Sequence, residues 1–204
     1  QTINTILCYK IARKAPYLSG HFAVSEELLA EAKGHYRFVT LLRDPVARWK
    51  SNYVYSRIRE AQDGKRVPPA DIAAELDAYL DSPLARREGA KYVRYFGGFK
   101  TPDRLQEPET VELAMRLLEQ FDIVGVLENL GQFESRLSEL VGKPIHVPHL
   151  RNTDTFQEPG GRTSSDYKAL FTPERLQRIR ALCQPDYQLF ERARELAQGA
   201  SSAK

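Results

Sequence analysis

Residues 36–53 read YRFVTLLRDPVARWKSNY, and this stretch decides the fold. Its first seven residues are mostly β-branched, aromatic or leucine, which predicts a buried β-strand over residues 36–42. Asp44 then has the side chain of a helix N-cap, and Pro45 suits the first helical position, so a helix is predicted from Pro45 to about residue 60. The stretch therefore predicts a strand that turns at once into a helix.

A second strand–helix unit lies further along the chain. Residues 121–127 form a buried-type strand, and apolar residues recur at helical spacing from Leu130 to Leu140 behind it. The remaining predicted helices cover residues 2–14, start at Ser25 and Asp71, surround Val111–Met115–Leu118, and start at Thr172 and Pro185. The alternation predicts an α/β fold, a parallel sheet flanked by helices, in a single domain of 204 residues.

The amino-acid composition of the chain favours some classes of function over others. Lys+Arg exceeds Asp+Glu by only 30 to 27, a balance that suits a small anionic ligand better than nucleic acid. No run of 18 apolar residues and no signal-peptide pattern occurs, so neither a membrane span nor a leader is predicted. Cys8 and Cys183 lie in apolar helical patterns and are expected to be buried, reduced thiols rather than a disulfide or a metal site.

The turn between the first strand and its helix is a candidate anion site. Free backbone N–H groups and the positive end of the helix dipole converge where a parallel strand passes into a helix. Arg43 adds a guanidinium fork, and Ser51 lies about 10 Å along the helix axis from the Asp44 cap. Arg48, on the same face as Ser51, either reaches the phosphate or pairs with Asp44. A capped helix with a solvated basic face is the alternative.

Residues 43–53 resemble the 3′-phosphate-binding motif of sulfotransferases that use 3′-phosphoadenosine 5′-phosphosulfate (PAPS). Three more segments resemble the heparan-sulfate 2-O-sulfotransferase-like branch, in the family's order: Gly20-His21, residues 121–129 and residues 186–193. The resemblance implies a P-loop-NTPase-like core, PAPS as cosubstrate, and transfer of a sulfuryl group to a hydroxyl, usually of a sugar. It assigns Arg43 and Ser51 to the 3′-phosphate.

The resemblance does not include the first segment of the family's sequence pattern. The family opens with a strand and a Pro-Lys-x-x-Gly-Thr-like loop that holds the 5′-phosphosulfate, and its lysine neutralises charge on the leaving group. Residues 1–4 resemble the end of that loop, so Thr2 is a candidate cosubstrate contact and the chain is expected to be cut just after the lysine. The alternative is a member that has lost the loop, which would bind nucleotide poorly and transfer nothing.

Transfer to a hydroxyl needs a base, and a histidine is the simplest one near neutral pH. His21 aligns with the family's Gly-His, whose histidine looks like the general base, although a structural histidine is the alternative. His149 is a reserve candidate for base or substrate contact, and His35 is expected in a helix-to-strand turn. No cysteine or carboxylate cluster accompanies His146 and His149, so no metal site is predicted.

The remaining candidates lie in loops. Arg162 follows Gly160-Gly161 in the long loop 147–165, where it could close over the nucleotide or be a solvated charge. Arg151 and Asn152, which precede that loop's glycines, are candidate substrate contacts. Arg94 opens a segment that resembles a family segment near the substrate, although the asparagine often found just before it is absent here. Trp49 is expected in the core.

The sequence thus predicts a PAPS-dependent O-sulfotransferase whose acceptor is a glycan and which uses neither metal nor nucleic acid. The first alternative is a non-catalytic member that binds nucleotide or glycan. The second is a nucleic-acid-binding module whose basic side chains follow one helix: Arg43, Arg48, Lys50, Arg57 and Arg59. Arginine outnumbers lysine by 20 to 10, which favours a bacterial cytoplasmic enzyme, with a trimmed Golgi-lumen domain as the alternative.

Overall fold

The computed structural model describes residue 7 and residues 9–67, 69–98, 102–148, 157 and 161–199. This part of the chain is mostly helical and contains a small sheet of two parallel strands, β1 (Val39–Leu42) and β2 (Ile123–Val126). The helices are α1 Glu26–Ala32, α2 Pro45–Gln62, α3 Ile72–Leu80, α4 Pro83–Gly89, α5 Lys91–Phe96, α6 Pro108–Leu118, α7 Leu130–Val141, α8 Ser164–Lys168, α9 Pro173–Leu182 and α10 Gln184–Gly199. Short 3₁₀ turns span Pro102–Gln106 and Leu127–Asn129.

The two strands run in register from Val39 opposite Ile123 to Leu42 opposite Val126, so their carboxyl ends lie side by side. Both are shorter than predicted because Asp122 ends the ladder with its side chain. Its carboxylate accepts the Phe38 N–H at 2.8 Å, and its own N–H donates to the Phe38 carbonyl at 2.8 Å. The turns after β1 and β2 therefore meet at one edge of the sheet.

Local capping explains the helices that the sequence predicts correctly. Side-chain oxygens of four residues accept backbone N–H groups at the starts of α1, α2, α3 and α9: Ser25, Asp44, Asp71 and Thr172. Residue 7 and residues 9–12 are also helical, within the predicted first helix. No helix in the described ranges has both the length and the apolar composition that crossing a membrane requires.

The sequence did not predict α4 and α5, which follow one another after α3. α4 has a local cap, since Ser82 accepts the Ala85 N–H at 3.2 Å. α5 has no cap from its own neighbours; Asp186 of α10 accepts the N–H groups of Tyr92 and Val93 at its start. The N-terminus of α5 is therefore stabilised by a residue more than ninety positions away.

Two clusters of buried hydrophobic side chains form the core. One packs the sheet against α5, α6 and α10, and the other surrounds Trp49 and Tyr53 of α2 with side chains of α3, α8 and α9. Trp49 is 1% exposed, which confirms its predicted place in the core. Cys183 is buried in the second cluster as a free thiol, and burial raises its pKa to about 12. Cys8 lies outside the described residues.

Candidate functional site

The turn between β1 and α2 is held by side chains of α5 and of the 3₁₀ turn Leu127–Asn129, and by Asp44 of the turn itself. The Arg43 N–H donates to the Tyr92 hydroxyl at 2.9 Å, and that hydroxyl donates to the Arg43 carbonyl at 2.8 Å. The Asp44 N–H donates to Glu128 Oε1 at 2.9 Å, and the Ala47 N–H donates to Asp44 Oδ1 at 2.7 Å. The expectation of free backbone donors at this turn is therefore wrong for these three N–H groups, which groups of the protein already fill.

The side chains of Arg43 and Ser51 are not used in this way. Both residues are half-buried, and within the described ranges neither the Arg43 guanidinium nor the Ser51 hydroxyl has a hydrogen-bonding or ionic partner. Arg43 directly follows β1 and Ser51 lies in the second turn of α2, so both belong to one strand–helix unit. The side chains of Arg43 and Ser51 are therefore donors that remain available to an anion here.

Arg48 has a structural role that the sequence did not reveal. Its Nη2 atom donates to the Glu88 carbonyl at 2.6 Å and to Asp186 Oδ2 at 3.0 Å, and its guanidinium lies 4.9 Å from the Tyr92 ring centroid. The predicted pairing of Arg48 with Asp44 is wrong, because Arg48 pairs with Asp186 instead. Arg48 as a phosphate ligand remains a prediction.

Asp186 is the centre of this buried arrangement. Its side chain is fully buried and accepts the backbone N–H groups of Tyr92 and Val93 as well as the Arg48 guanidinium. Burial raises the pKa of Asp186 to about 6, against the opposing effect of Arg48 and of the backbone donors. The carboxylate thus fixes α5 relative to α2 and α10.

His21 and Arg94, a predicted base and a predicted substrate contact, meet at Tyr95 of α5. The His21 ring is exposed and stacks on the Tyr95 ring, with centroids 5.7 Å apart and an interplanar angle of 18°. The Arg94 guanidinium lies 5.7 Å from the centroid of the same ring. The Val24 N–H donates to the Tyr95 carbonyl at 2.8 Å, which joins the segment after His21 to α5.

α5 connects these groups to the β1–α2 turn. Tyr92 contacts Arg43 and Tyr95 contacts His21, and residues three apart on a helix leave the same side of it. Through α5, His21 and Arg94 are thus linked to the backbone of the turn at Arg43. Sequence reasoning missed Tyr92 and Glu128, although Glu128 lies within the resembling segment 121–129; their hydrogen bonds to the turn carry no local signal.

The other predicted site residues lie elsewhere or outside the described ranges. Arg162 donates to the Ala70 carbonyl at 3.2 Å, beyond the C-terminal end of α2, so the structure does not bring it to Arg43. His35 lies in the predicted turn, and His146 is 89% exposed and 3.7 Å from Glu134. Four candidates fall on residues that are not described: Thr2, His149, Arg151 and Asn152. Among the described residues, no three His, Cys, Asp or Glu side chains lie together so that they could hold a metal ion.

The basic residues of α2 do not form a free cationic face. Arg57 pairs with Glu60 at 3.0 Å, Arg59 pairs with Asp63 at 3.2 Å, and Lys50 lies over the Phe171 ring at 5.1 Å. Together with the buried Arg48, this pairing argues against a nucleic-acid-binding helix.

Two surface cavities lie away from this region. One, of about 400 Å³, is bordered by Phe121, Arg136 and Leu196, and the other, of about 440 Å³, by Ile11, His35 and Tyr36.

Comparison of the chain with family models, with curated proteins and with solved structures finds no match.

Proposed function

We propose that this chain is a PAPS-dependent O-sulfotransferase that transfers a sulfuryl group to a hydroxyl of a carbohydrate. The observation that carries the proposal is the pair of uncommitted donors, the Arg43 guanidinium and the Ser51 hydroxyl, on one strand–helix unit. They stand at the spacing of the 3′-phosphate motif that residues 43–53 resemble. The proposed core is P-loop-NTPase-like, with β1 and β2 as two of its parallel strands.

In this proposal the 3′-phosphate is bound by side chains. A guanidinium fork forms two charge-assisted hydrogen bonds to a phosphate, and a serine hydroxyl donates a third. The backbone N–H groups of Arg43 and Asp44 already donate to Tyr92 and Glu128. The guanidinium of Arg43 and the hydroxyl of Ser51 therefore supply the proposed contacts to the phosphate. Arg48, paired with Asp186, supports the helix on which Ser51 stands.

The proposed chemistry is an in-line displacement at sulfur. The acceptor oxygen forms a new S–O bond while the bond from sulfur to the 5′-phosphate oxygen breaks, and adenosine 3′,5′-bisphosphate (PAP) leaves. His21 accepts the proton of the acceptor hydroxyl. Its exposure and its stacking on Tyr95 support this role, because the ring is oriented and its nitrogens have no hydrogen-bond partner among the described residues.

Binding of PAP is the first test. We expect PAP to raise the melting temperature of the parent chain by mass action, and Arg43→Ala or Ser51→Ala to remove much of that shift. Arg59→Ala is the matched control, since it removes an equal charge from the other end of the same helix. A parent chain that PAP does not stabilise would rule out the proposed site.

Transfer of labelled sulfate is the second test, and it uses a preparation of the parent protein that is catalytically active. His21→Ala should abolish transfer while PAP binding is retained, and His35→Ala should leave transfer intact. Retained turnover in His21→Ala removes His21 as the base. PAP binding without any transfer would favour the non-catalytic alternative.

A further inference from the structure

The surface cavity of about 400 Å³ combines apolar walls with a guanidinium group. It lies between α7, β2 and the C-terminal part of α10, and Phe121, Val124 and Leu196 supply its apolar surface. The Phe121 ring is held by edge-on contacts with the Phe38 and Phe96 rings, whose centroids lie 5.6 and 5.4 Å away. Pockets for small ligands have volumes of roughly 300–1,000 Å³, so the cavity is large enough for one.

Arg136, which borders this cavity from α7, is held by main-chain groups and not by a carboxylate. Its Nη1 atom donates to the Val124 carbonyl at 3.2 Å and its Nη2 atom to the Asp122 carbonyl at 3.4 Å, and it forms no ion pair with a described residue. The Asp122 carboxylate is used elsewhere, by the Phe38 N–H at 2.8 Å and by Arg37 at 3.1 Å. The Arg136 guanidinium is thus oriented, but its charge is not neutralised by an ion pair.

A ligand in the cavity can reach the unused donors of Arg136. A guanidinium carries five N–H groups, and the two main-chain bonds use two of them. Arg136 is half-buried, and its Nε atom, unlike that of Arg48, is not hidden from solvent. The other charged groups of the cavity lining are already engaged, since Arg192 donates to Glu119 at 2.7 Å and to Glu195 at 2.6 Å. Arg136 is therefore the group at which an anion in this cavity would find an uncommitted charge.

We infer that this cavity binds a small organic carboxylate, whose negative group contacts Arg136 and whose apolar part lies against Phe121 and Leu196. A guanidinium binds a carboxylate through charge-assisted hydrogen bonds, and the apolar walls favour a ligand with an apolar body over an inorganic oxyanion. The inference goes beyond the proposed function, because it uses no residue of the β1–α2 turn and requires no nucleotide.

Binding of benzoate to the full chain tests this inference. Benzoate should raise the melting temperature saturably over sodium chloride at equal ionic strength, with an affinity at least about tenfold higher than that of benzyl alcohol, which keeps the ring but not the charge. Arg136→Gln should lose this preference. Arg194→Gln, at an exposed arginine of α10 that does not border the cavity, should keep it. Equal affinity for benzoate and benzyl alcohol, an unchanged response of Arg136→Gln, or displacement of benzoate by sulfate at equal ionic strength would overturn the inference.

A second variant keeps the test decisive if Arg136→Gln does not fold, since Arg136 also binds two main-chain carbonyls. Glu195→Gln removes the negative charge that borders the cavity and leaves Arg136 in place. It should bind benzoate more tightly than the parent chain, because one repulsive charge is lost. Affinity equal to or weaker than that of the parent chain would contradict the inference.

The response to benzoate and the response to PAP are separable. A chain that benzoate stabilises and PAP does not would retain this inference and remove the proposed function. A chain that PAP stabilises and benzoate does not would retain the proposed function and overturn this inference.

Discussion

The two halves of α2 carry similar basic side chains but engage them differently. In the C-terminal half, Arg57 contacts Glu75, and Arg66, just beyond the helix, binds the same carboxylate. At the N-terminal half, Arg48 pairs with Asp186, but Ser51 and Arg43, which precedes the helix, have no partner among the described residues. Charges that the chain pairs internally stabilise its structure, whereas charges left unpaired beside a well-fixed turn are available to a ligand.

The paired Arg57 of the C-terminal half lies against two aromatic rings. The Arg57 guanidinium lies 5.1 Å from the Tyr53 ring centroid and 4.8 Å from that of Tyr79, and burial raises the pKa of both tyrosines to about 12. Ion pairs in such a desolvated setting are worth more than exposed pairs, and breaking one costs more.

The largest effect is expected from Arg48→Ala, because it leaves the fully buried Asp186 without its ionic partner. Removing one partner of a buried pair costs about 3–5 kcal/mol in the free energy of unfolding. Urea unfolding measures this, with Arg86→Ala as the exposed control, which should change stability by no more than about 0.5 kcal/mol. Equal effects of the two substitutions would show that Asp186 does not depend on Arg48.

Glu75→Gln should have the next largest effect, since Arg57 and Arg66 both lose a charged acceptor while the side-chain shape is kept. Hydrogen bonds to charged groups contribute about 1.5–3 kcal/mol, so a loss of that size is expected in urea unfolding. Glu60→Gln, at a more exposed partner of Arg57, should lose less. Any loss of the PAP response in Glu75→Gln would contradict the separation of the two halves.

The pH dependence of the free energy of unfolding should reveal the raised pKa of Asp186. Its pKa is about 6 in the folded protein against an ordinary value of 3.8, so the folded state binds more protons than the unfolded state between these values. Its contribution therefore falls as pH rises from about 4 to 6, by at most about 1.4 kcal/mol per pH unit. Asp186→Asn should lack this slope, and an unchanged profile would contradict the raised pKa.

Local signals account for the parts of this molecule that the sequence predicts. The strand before Arg43, the Asp44 cap and Pro45 are neighbours in sequence, and the start of α2 follows from them. The partners of the turn are not neighbours, since Tyr92 lies 49 residues and Glu128 84 residues from the groups they bind. Long-range hydrogen bonds of this kind leave no periodicity or spacing to read.

The same distinction explains why the arrangement of the proposed anion site was only partly predictable. Arg43 and Ser51 could be chosen from spacing within one strand–helix unit. That Arg48 binds Asp186, 138 residues away, could not. The contacts of His21 and Arg94 with Tyr95 likewise depend on how α5 packs. The sequence does not predict α5 itself, because the residue that caps it, Asp186, comes from α10.

The smallest effect on stability is expected at the residues proposed to matter most for binding. Arg43→Ala and Ser51→Ala remove side chains that make no hydrogen bond or ion pair with a described residue, so the free energy of unfolding should change by about 0.5 kcal/mol or less. Urea unfolding without nucleotide checks this. A loss comparable to that of Glu75→Gln would mean that Arg43 or Ser51 stabilises the fold, and a weakened PAP response could then reflect a damaged turn rather than a lost phosphate contact.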